Sequence, residues 1–368
     1  MLVKLRSGRR VAGVGLAALL TAAVVAPPAS AKGPLAALAL PPAASVPAPL
    51  AAPVPAVPAV HWAYMVGHAL APSLADHAGQ IDYLSPAWFQ VTASGTVAGQ
   101  DSLAVSAFAR SHGIKLVPVV ANGAFSPAVA HALVTNGQLQ TRMLNSIQAL
   151  VQSYGYDGIN LDFENVSPGD AQGLSALIYN LSQRLHSVGK LMTVALPSQT
   201  HPTSSGWAGA FSYAAIAPNV DFAVLMAYDQ HYAGGPPGPI ADVAWVSDVI
   251  HYAETAFAPG QLLLGVPLYG YNWNLSRGGA NPVTYSDVVH QVFAHGAQIH
   301  MVSAAESPMF QYAAGDGLHQ VWFEDSSSLQ AKLNLAANKG LAGWAAWRLG
   351  QEDPNFWSLP LTQLGPTP

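Results

Sequence analysis

Beyond residue 60 the chain switches repeatedly between short runs of β-branched, aromatic and aliphatic residues and longer stretches whose apolar positions recur every third or fourth residue. The short runs predict strands: "WAYMVG" (62–67), "IDYLS" (81–85), "KLVPVV" (115–120), "GINLDFE" (158–164), "LMTVAL" (191–196), "DFAVLMAY" (221–228), "LLLGVPL" (262–268) and "LAGWAAW" (341–347). Between them, 143–155 and 171–189 carry helical periodicity and end in Gly155 and Gly189, which read as carboxy-terminal stops. Eight such strand and helix units over some 300 residues predict an α/β fold of the (β/α)8 TIM-barrel type, for which about 250 residues is typical. No G-x-G-x-x-G follows the first strand, which argues against a dinucleotide-binding open sheet. The gap between the seventh and eighth strands exceeds one helix. Its helical "NPVTYSDVVHQVFAHG" and the strand-like "QIHMVSAAESPMFQYAAGDGLHQVWFED", turning at Gly315-Asp316-Gly317, predict a small α+β insertion over about 271–328.

The fourth predicted strand is the unusual one. Side chains alternate faces along a strand, so Ile159, Leu161 and Phe163 should meet the helices while Asn160, Asp162 and Glu164 line the barrel interior. Glu164 would then stand at the carboxy-terminal end, where barrel enzymes carry their chemistry. Alternate strand positions are about 6.5 Å apart. Two carboxyls that close cannot both ionise cheaply, so one pKa should rise, as a general acid at neutral pH requires. The bland alternative is an ion-pair ladder or a solvated edge strand, and few basic residues exist to pair with it.

Composition narrows the chemistry. The 368 residues are 51% hydrophobic and 9% charged, with a net charge of -5 and no Lys/Arg run beyond the first ten residues. That argues against nucleic-acid binding. With Cys 0, neither a thiolate metal site nor a cysteine nucleophile is available, and the 13 His form no ligand pair. No metal and no cofactor are expected. At the amino terminus, Lys4, Arg6, Arg9 and Arg10 precede an apolar run from Val11 to Ala26 and an Ala29-Ser30-Ala31 cleavage pattern, which together read as a secretory signal over 1–31. A retained anchor is the alternative. Residues 32–60 are Ala- and Pro-rich and read as an extended spacer, leaving 61–365 as the catalytic barrel.

The strand "DGINLDFE" resembles the D-x-x-D-x-D-x-E signature of glycoside hydrolase family 18, the chitinase-like barrels, with Asp157, Asn160, Asp162 and Glu164 at its four signature positions. "LMAYDQHYAGGPPGP" (225–239) is similar to the sixth-strand M-x-Y-D motif, extended as in bacterial spore-germination and cell-wall glucosaminidases. "LLLGVPLYGYNW" (262–273) and "VWFEDSSSLQAKLNLAANKGLAGWAAWRLGQEDPNFW" (321–357) resemble the same branch. The resemblance implies that Glu164 protonates the glycosidic oxygen and that the substrate's own acetamido oxygen is the nucleophile. It further implies that Asp162 holds the acetamido N–H, that Tyr228 bonds the acetamido oxygen and that Trp347 floors the sugar site. Asp157 would support the site from the strand entrance. Asp229 and Met226 read equally as a cap and a packing residue or as substrate contacts, and Tyr269, Glu324, Trp88 and Trp273 are further subsite candidates.

Asn160 departs from the aspartate that many family members carry. An amide cannot share a proton with Asp162, so Asp162 should ionise more readily here. The expected protein is a secreted or wall-associated monomer that hydrolyses a polysaccharide containing N-acetylglucosamine, peptidoglycan or a relative, without lasting membrane insertion. A chitinase and a non-catalytic lectin on the same barrel remain the alternatives.

Overall fold

A computed structural model describes residues 57–360 and 363–364. The expected signal and most of the spacer lie outside the described residues, but 57–58 and 60 are strand rather than spacer. Val57–Pro58 pairs with Gln363–Leu364, and the first barrel strand starts at Val60.

The strands are β1 (Val60–Met65), β2 (Tyr83–Pro86 continued by Phe89–Val91), β3 (Lys115–Leu116 continued by Val119–Asn122), β4 (Gly158–Asp162), β5 (Leu191–Pro197), β6 (Phe222–Met226), β7 (Leu262–Pro267) and β8 (Gly343–Trp347). Each pairs in parallel with the next, and β8 pairs with β1. The ring closes where both halves of β2 meet both halves of β3, Tyr83 beside Lys115 and Phe89 beside Val120. This is a (β/α)8 barrel. The expected continuous strand over 115–120 is interrupted at Pro118, which has no N–H to give, although its carbonyl still accepts the Asn160 N–H at 3.0 Å.

Alternation sorts the strands as expected. Ile159, Leu161 and Phe163 pack with helix residues such as Ile147, Leu177 and Leu181 in the outer core. Trp62, Tyr64, Tyr83, Val119, Val224, Leu263 and Ala345 fill the interior. The helices follow their caps. Asn136 accepts from Gln138 and Leu139 to start Gly137–Tyr154, and Gly155 at φ 67 ends it. Ala171–His186 crosses from β4 to β5, Val243–Ala253 from β6 to β7, and Ser326–Asn338 leads into β8.

The base of the barrel carries a repeated device. Asp82, Asp157 and Asp221 each stand just before an even-numbered strand and accept the N–H of His61, Leu116 and Met192 respectively at 2.8 Å. Each also donates its own N–H to the same residue's carbonyl. A carboxylate here satisfies an amide that the strand register would leave open.

Between β7 and β8 stands a five-stranded antiparallel sheet built from Tyr269–Asn274, Ala280–Thr284, His300–Val302, Ser307–Ala314 and Gly317–Trp322. The hairpin turns at the expected glycines. Its helix is shorter than the pattern suggested, Tyr285–His295, because Ala280–Thr284 is strand and Thr284 is the cap. The sheet begins at Tyr269, two residues before the expected insertion. Among the described residues no helix is long and apolar enough to cross a membrane.

Candidate active site

Asn160 and Asp162 project into the barrel from β4, whereas Glu164 and Tyr228 lie two residues past the ends of β4 and β6 rather than inside strands as their runs suggested. Asn160 is fully buried, and both ends of its amide are hydrogen-bonded. Its Oδ1 accepts the Tyr64 hydroxyl at 3.1 Å, and its Nδ2 donates to Thr193 Oγ1 at 2.9 Å. The Thr193 hydroxyl in turn donates a hydrogen bond to the Ile159 carbonyl at 2.9 Å. An aspartate at 160 would face an acceptor where Asn160 offers a donor, so the amide fits this neutral chain.

Asp162, immediately above, has the opposite character. It is buried, and its Oδ1 has no hydrogen-bond partner among the described residues. Burial pushes its carboxyl up to about 7. Glu164 is pushed up to about 8, chiefly by burial and further by the neighbouring charges of Asp162 and Asp229. The sequence led to the expectation of one raised carboxyl, and the structure raises both. The physical reason is that desolvation acts on each before their mutual repulsion is counted. The two raised carboxyls titrate as a pair, an arrangement that can hold one acid beside one anion.

Tyr228 faces this pair. Burial, then Tyr64, Asp162, Asp229 and Glu164, raise its phenol well above the ordinary value, so it remains a hydroxyl donor. β7 makes room for it at Gly265, where a Cβ would stand 2.3 Å from the Leu225 carbonyl oxygen and 3.0 Å from the Tyr228 ring. Asp229 stands at the mouth with a left-handed backbone, φ 58. Its Oδ1 accepts the Tyr269 hydroxyl at 2.5 Å and the Tyr271 hydroxyl at 3.2 Å. Although Asp229 is exposed by surface area, the protein around it raises its pKa against those two bonds. Trp347, at the end of β8, lies 5.4 Å from the Tyr64 ring and, like Tyr228 and Tyr271, packs against the buried cluster that includes Tyr269 and Trp273. An aromatic wall thus runs from the barrel mouth onto the insertion, tied to the loop after β6 by the Trp273 indole N–H to the Gly235 carbonyl at 3.1 Å.

Asp162, Glu164, Tyr228, Asp229, Tyr269 and Trp347 therefore belong to one cluster, with Asn160 beneath it. Met226 closes β6 half-buried, its carbonyl accepting the Ser198 hydroxyl at 2.5 Å. Asp157 is at the opposite end of β4, in the basal device. Two subsite candidates fall outside the cluster. Glu324 is 1% exposed and paired with the equally buried Lys332 at 2.7 Å, so its charge is already engaged. Trp88 is buried, stacks on His68 and donates its indole N–H to the Gly67 carbonyl at 2.7 Å. Sequence reasoning missed Tyr64, Thr193, Tyr271 and Asn122. Tyr64 shares the inward parity of Trp62 in the first strand, a signal that was present, while Asn122 offered none.

The model of the family described as glycosyl hydrolases family 18 matches residues 62–352. The chain is 32% identical over 288 residues to the cortical fragment-lytic enzyme of Bacillus subtilis (strain 168), covering 76% of this chain and 67% of that one. With the protein of the same description from Bacillus anthracis it shares 33% over 249 residues, covering 65% and 57%. It therefore spans only 57–67% of the length of these relatives. Among solved structures, the spore cortex-lytic enzyme SleL of Bacillus megaterium QM B1551 superposes with a TM-score of 0.75 at 29% identity, covering 82% of this chain and 73% of that one. The chitinase of Chromobacterium violaceum ATCC 12472 gives 0.75 at 28%, covering 82% and 97%.

Proposed function

The chain belongs to glycosyl hydrolase family 18 and is a glycosidase, and from that premise we propose that it cleaves β-linked N-acetylhexosamine polymers of the peptidoglycan type with retention, using the substrate's acetamido group as nucleophile. The observation that carries this is the unpartnered, buried Oδ1 of Asp162 beside Glu164, whose carboxyl burial and the charges of Asp162 and Asp229 push up. Glu164 gives that proton to the glycosidic oxygen as the bond to C1 breaks. The acetamido carbonyl oxygen closes on C1 from the opposite face, and Asp162 accepts the acetamido N–H and offsets the charge that develops there. The Tyr228 hydroxyl donates to the acetamido oxygen and aligns it for attack. Trp347 supplies the apolar surface beneath the sugar. Water then opens the oxazolinium ring, with the Glu164 carboxylate taking its proton, and the anomeric configuration is restored.

Peptidoglycan is favoured over chitin because relatives at 32% and 33% identity are described as lytic for cortical fragments. A polymer of that kind lies outside the membrane, which fits the export pattern of residues 1–31. The 28% identity to a bacterial chitinase along 97% of its length favours chitin as the second reading. Digesting purified peptidoglycan and chitin side by side and weighing the products by mass spectrometry tests both. Peptidoglycan fragments ending in reducing N-acetylglucosamine are expected. Release from chitin alone would move the assignment to a chitinase, and release from neither would reject both polymers.

A further inference from the structure

β3 and β4 run in register only as far as Ala121 beside Asp162. Beyond that rung the β3 backbone turns away through Gly123–Phe125, so the peptide groups of Glu164 have no strand beside them. The side chain of Asn122 takes that place. Its Oδ1 accepts the Glu164 N–H at 2.8 Å, and its Nδ2 donates to the Glu164 carbonyl at 3.0 Å and to the Ser126 carbonyl at 3.2 Å. A carboxamide presents one acceptor and two donors in a plane, the pattern of a peptide group, and Asn122 is completely buried.

The surrounding chain holds this geometry against its own preferences. Ala124 and Phe125 have φ 53 and 50, and Asn165, directly after Glu164, has φ 56, all in the left-handed region that Cβ-bearing residues avoid. Asn165 Nδ2 reaches across to the Phe125 carbonyl at 3.2 Å, and Gln90 Oε1 accepts the Ala124 N–H at 3.1 Å. Gly123 passes so near β2 that a Cβ there would meet the Val91 carbonyl oxygen at 2.8 Å. The turn is thus fixed from β2 on one side and from the β4 exit on the other.

We infer that Asn122 is a positioning residue for the glycosidase reaction, acting as a surrogate rung that fixes the Glu164 backbone and so aims its carboxyl at the scissile oxygen. The inference rests on the assignment of Glu164 as the acid. Asn122 touches no reacting atom in this scheme. Its loss lets the peptide at 164 relax and the carboxyl swing toward water, away from Asp162, Asp229 and Tyr228, which are the groups that crowd it.

Asn122→Ala tests this in the full chain, with steady-state kinetics on a soluble N-acetylglucosamine oligomer across pH. The expected result is a kcat reduced by about 10- to 100-fold, on the scale of misaligned acid catalysis, and a KM within about twofold of wild type. The alkaline limb of the rate profile should move to lower pH by about one unit, because a solvated carboxyl returns toward its ordinary value. A folded variant, by circular dichroism, whose kcat falls without movement of that limb, or whose KM alone changes, would overturn the role. If Asn122→Ala does not fold, Asn122→Ser keeps a hydroxyl in the same place and must show the same direction at smaller amplitude. Full activity in Glu164→Gln would instead remove the acid assignment, and the inference with it, whatever Asn122 does.

Discussion

Replacing Glu164 with Gln should make the protein more stable in alkali while removing its activity. An ordinary glutamate titrates near 4.5, and Glu164 is pushed up to about 8. Below 4.5 the carboxyl is neutral in the folded and unfolded chains alike, so amide and acid stand nearly equal. As pH rises past that point the unfolded chain ionises while the folded chain holds its proton. Stability falls by about 1.4 kcal/mol per pH unit until the folded carboxyl also ionises near 8. The full interval corresponds to about 5 kcal/mol, and allowing for solvent screening of a partly exposed group leaves about 2–4 kcal/mol. Urea unfolding of wild type and Glu164→Gln at about pH 4.5 and about pH 9 reads this directly. The variant should match wild type in acid, exceed it by that margin in alkali, and hydrolyse substrate at least about 100-fold more slowly. Equal stability at both pH values would refute the claim that Glu164 is crowded and desolvated, independently of any effect on catalysis.

Three further outcomes follow from the same geometry. Asn160→Asp removes the donor to Thr193 and places a second carboxyl about 6.5 Å from Asp162, so the acidic limb of the rate profile should rise by about one pH unit and steepen; a profile superimposable on wild type would dismiss the idea that the amide frees Asp162 from coupling. Asp157→Ala deletes the acceptor for the Leu116 N–H at the far end of the barrel and should cost about 1–3 kcal/mol in urea unfolding. Its rate profile should not move with pH, and a moved profile would return Asp157 to the chemistry. Lys332→Met strands Glu324 as a buried anion and should destabilise by about 3–5 kcal/mol at neutral pH. That loss should shrink as pH falls and Glu324 takes up a proton, and adding Glu324→Leu should restore most of it; an unshifted unfolding midpoint for Lys332→Met would show that the pair contributes nothing.

The eight strands could be read from the sequence because an interior and an exterior face impose a period of two that polar residues cannot break without reason, and β4 shows this most clearly. Strand ends were less legible. Glu164 and Tyr228 were assigned to strands because their neighbours are apolar, yet both lie past the last rung, where the chain is held by side chains instead of by register. Those holders were invisible for a physical reason. Asn122 acts 42 residues from Glu164, Thr193 acts 33 from Asn160, and Tyr64 acts 96 away, so no local pattern announces them. Glu324 and Trp88 show the same limit from the other side. A carboxylate and an indole near strand ends suggest contact with a sugar, but Glu324 Oε2 is paired with Lys332 and the Trp88 indole N–H is given to the Gly67 carbonyl.

The scarcity of charge in this sequence has a consequence at the site itself. The charged and phenolic neighbours that shift Glu164 and Tyr228 are Asp162, Asp229, Glu164 and Tyr64, and none is a cation. The buried lysine of the carboxy-terminal half is engaged elsewhere, with Glu324. An arginine beside Glu164 would relieve the repulsion and stabilise the fold, but it would also hold the carboxyl ionised and leave no proton to give. With no cation among the described neighbours that shift it, the proton on Glu164 removes one of the negative charges of the cluster at rest. In the proposed reaction that proton departs with the leaving group as positive charge develops on the acetamido ring beside Asp162. The substrate then supplies the cation that the protein withholds, formed beside Asp162 as Glu164 becomes an anion, so the net charge of the closed site is unchanged through the step.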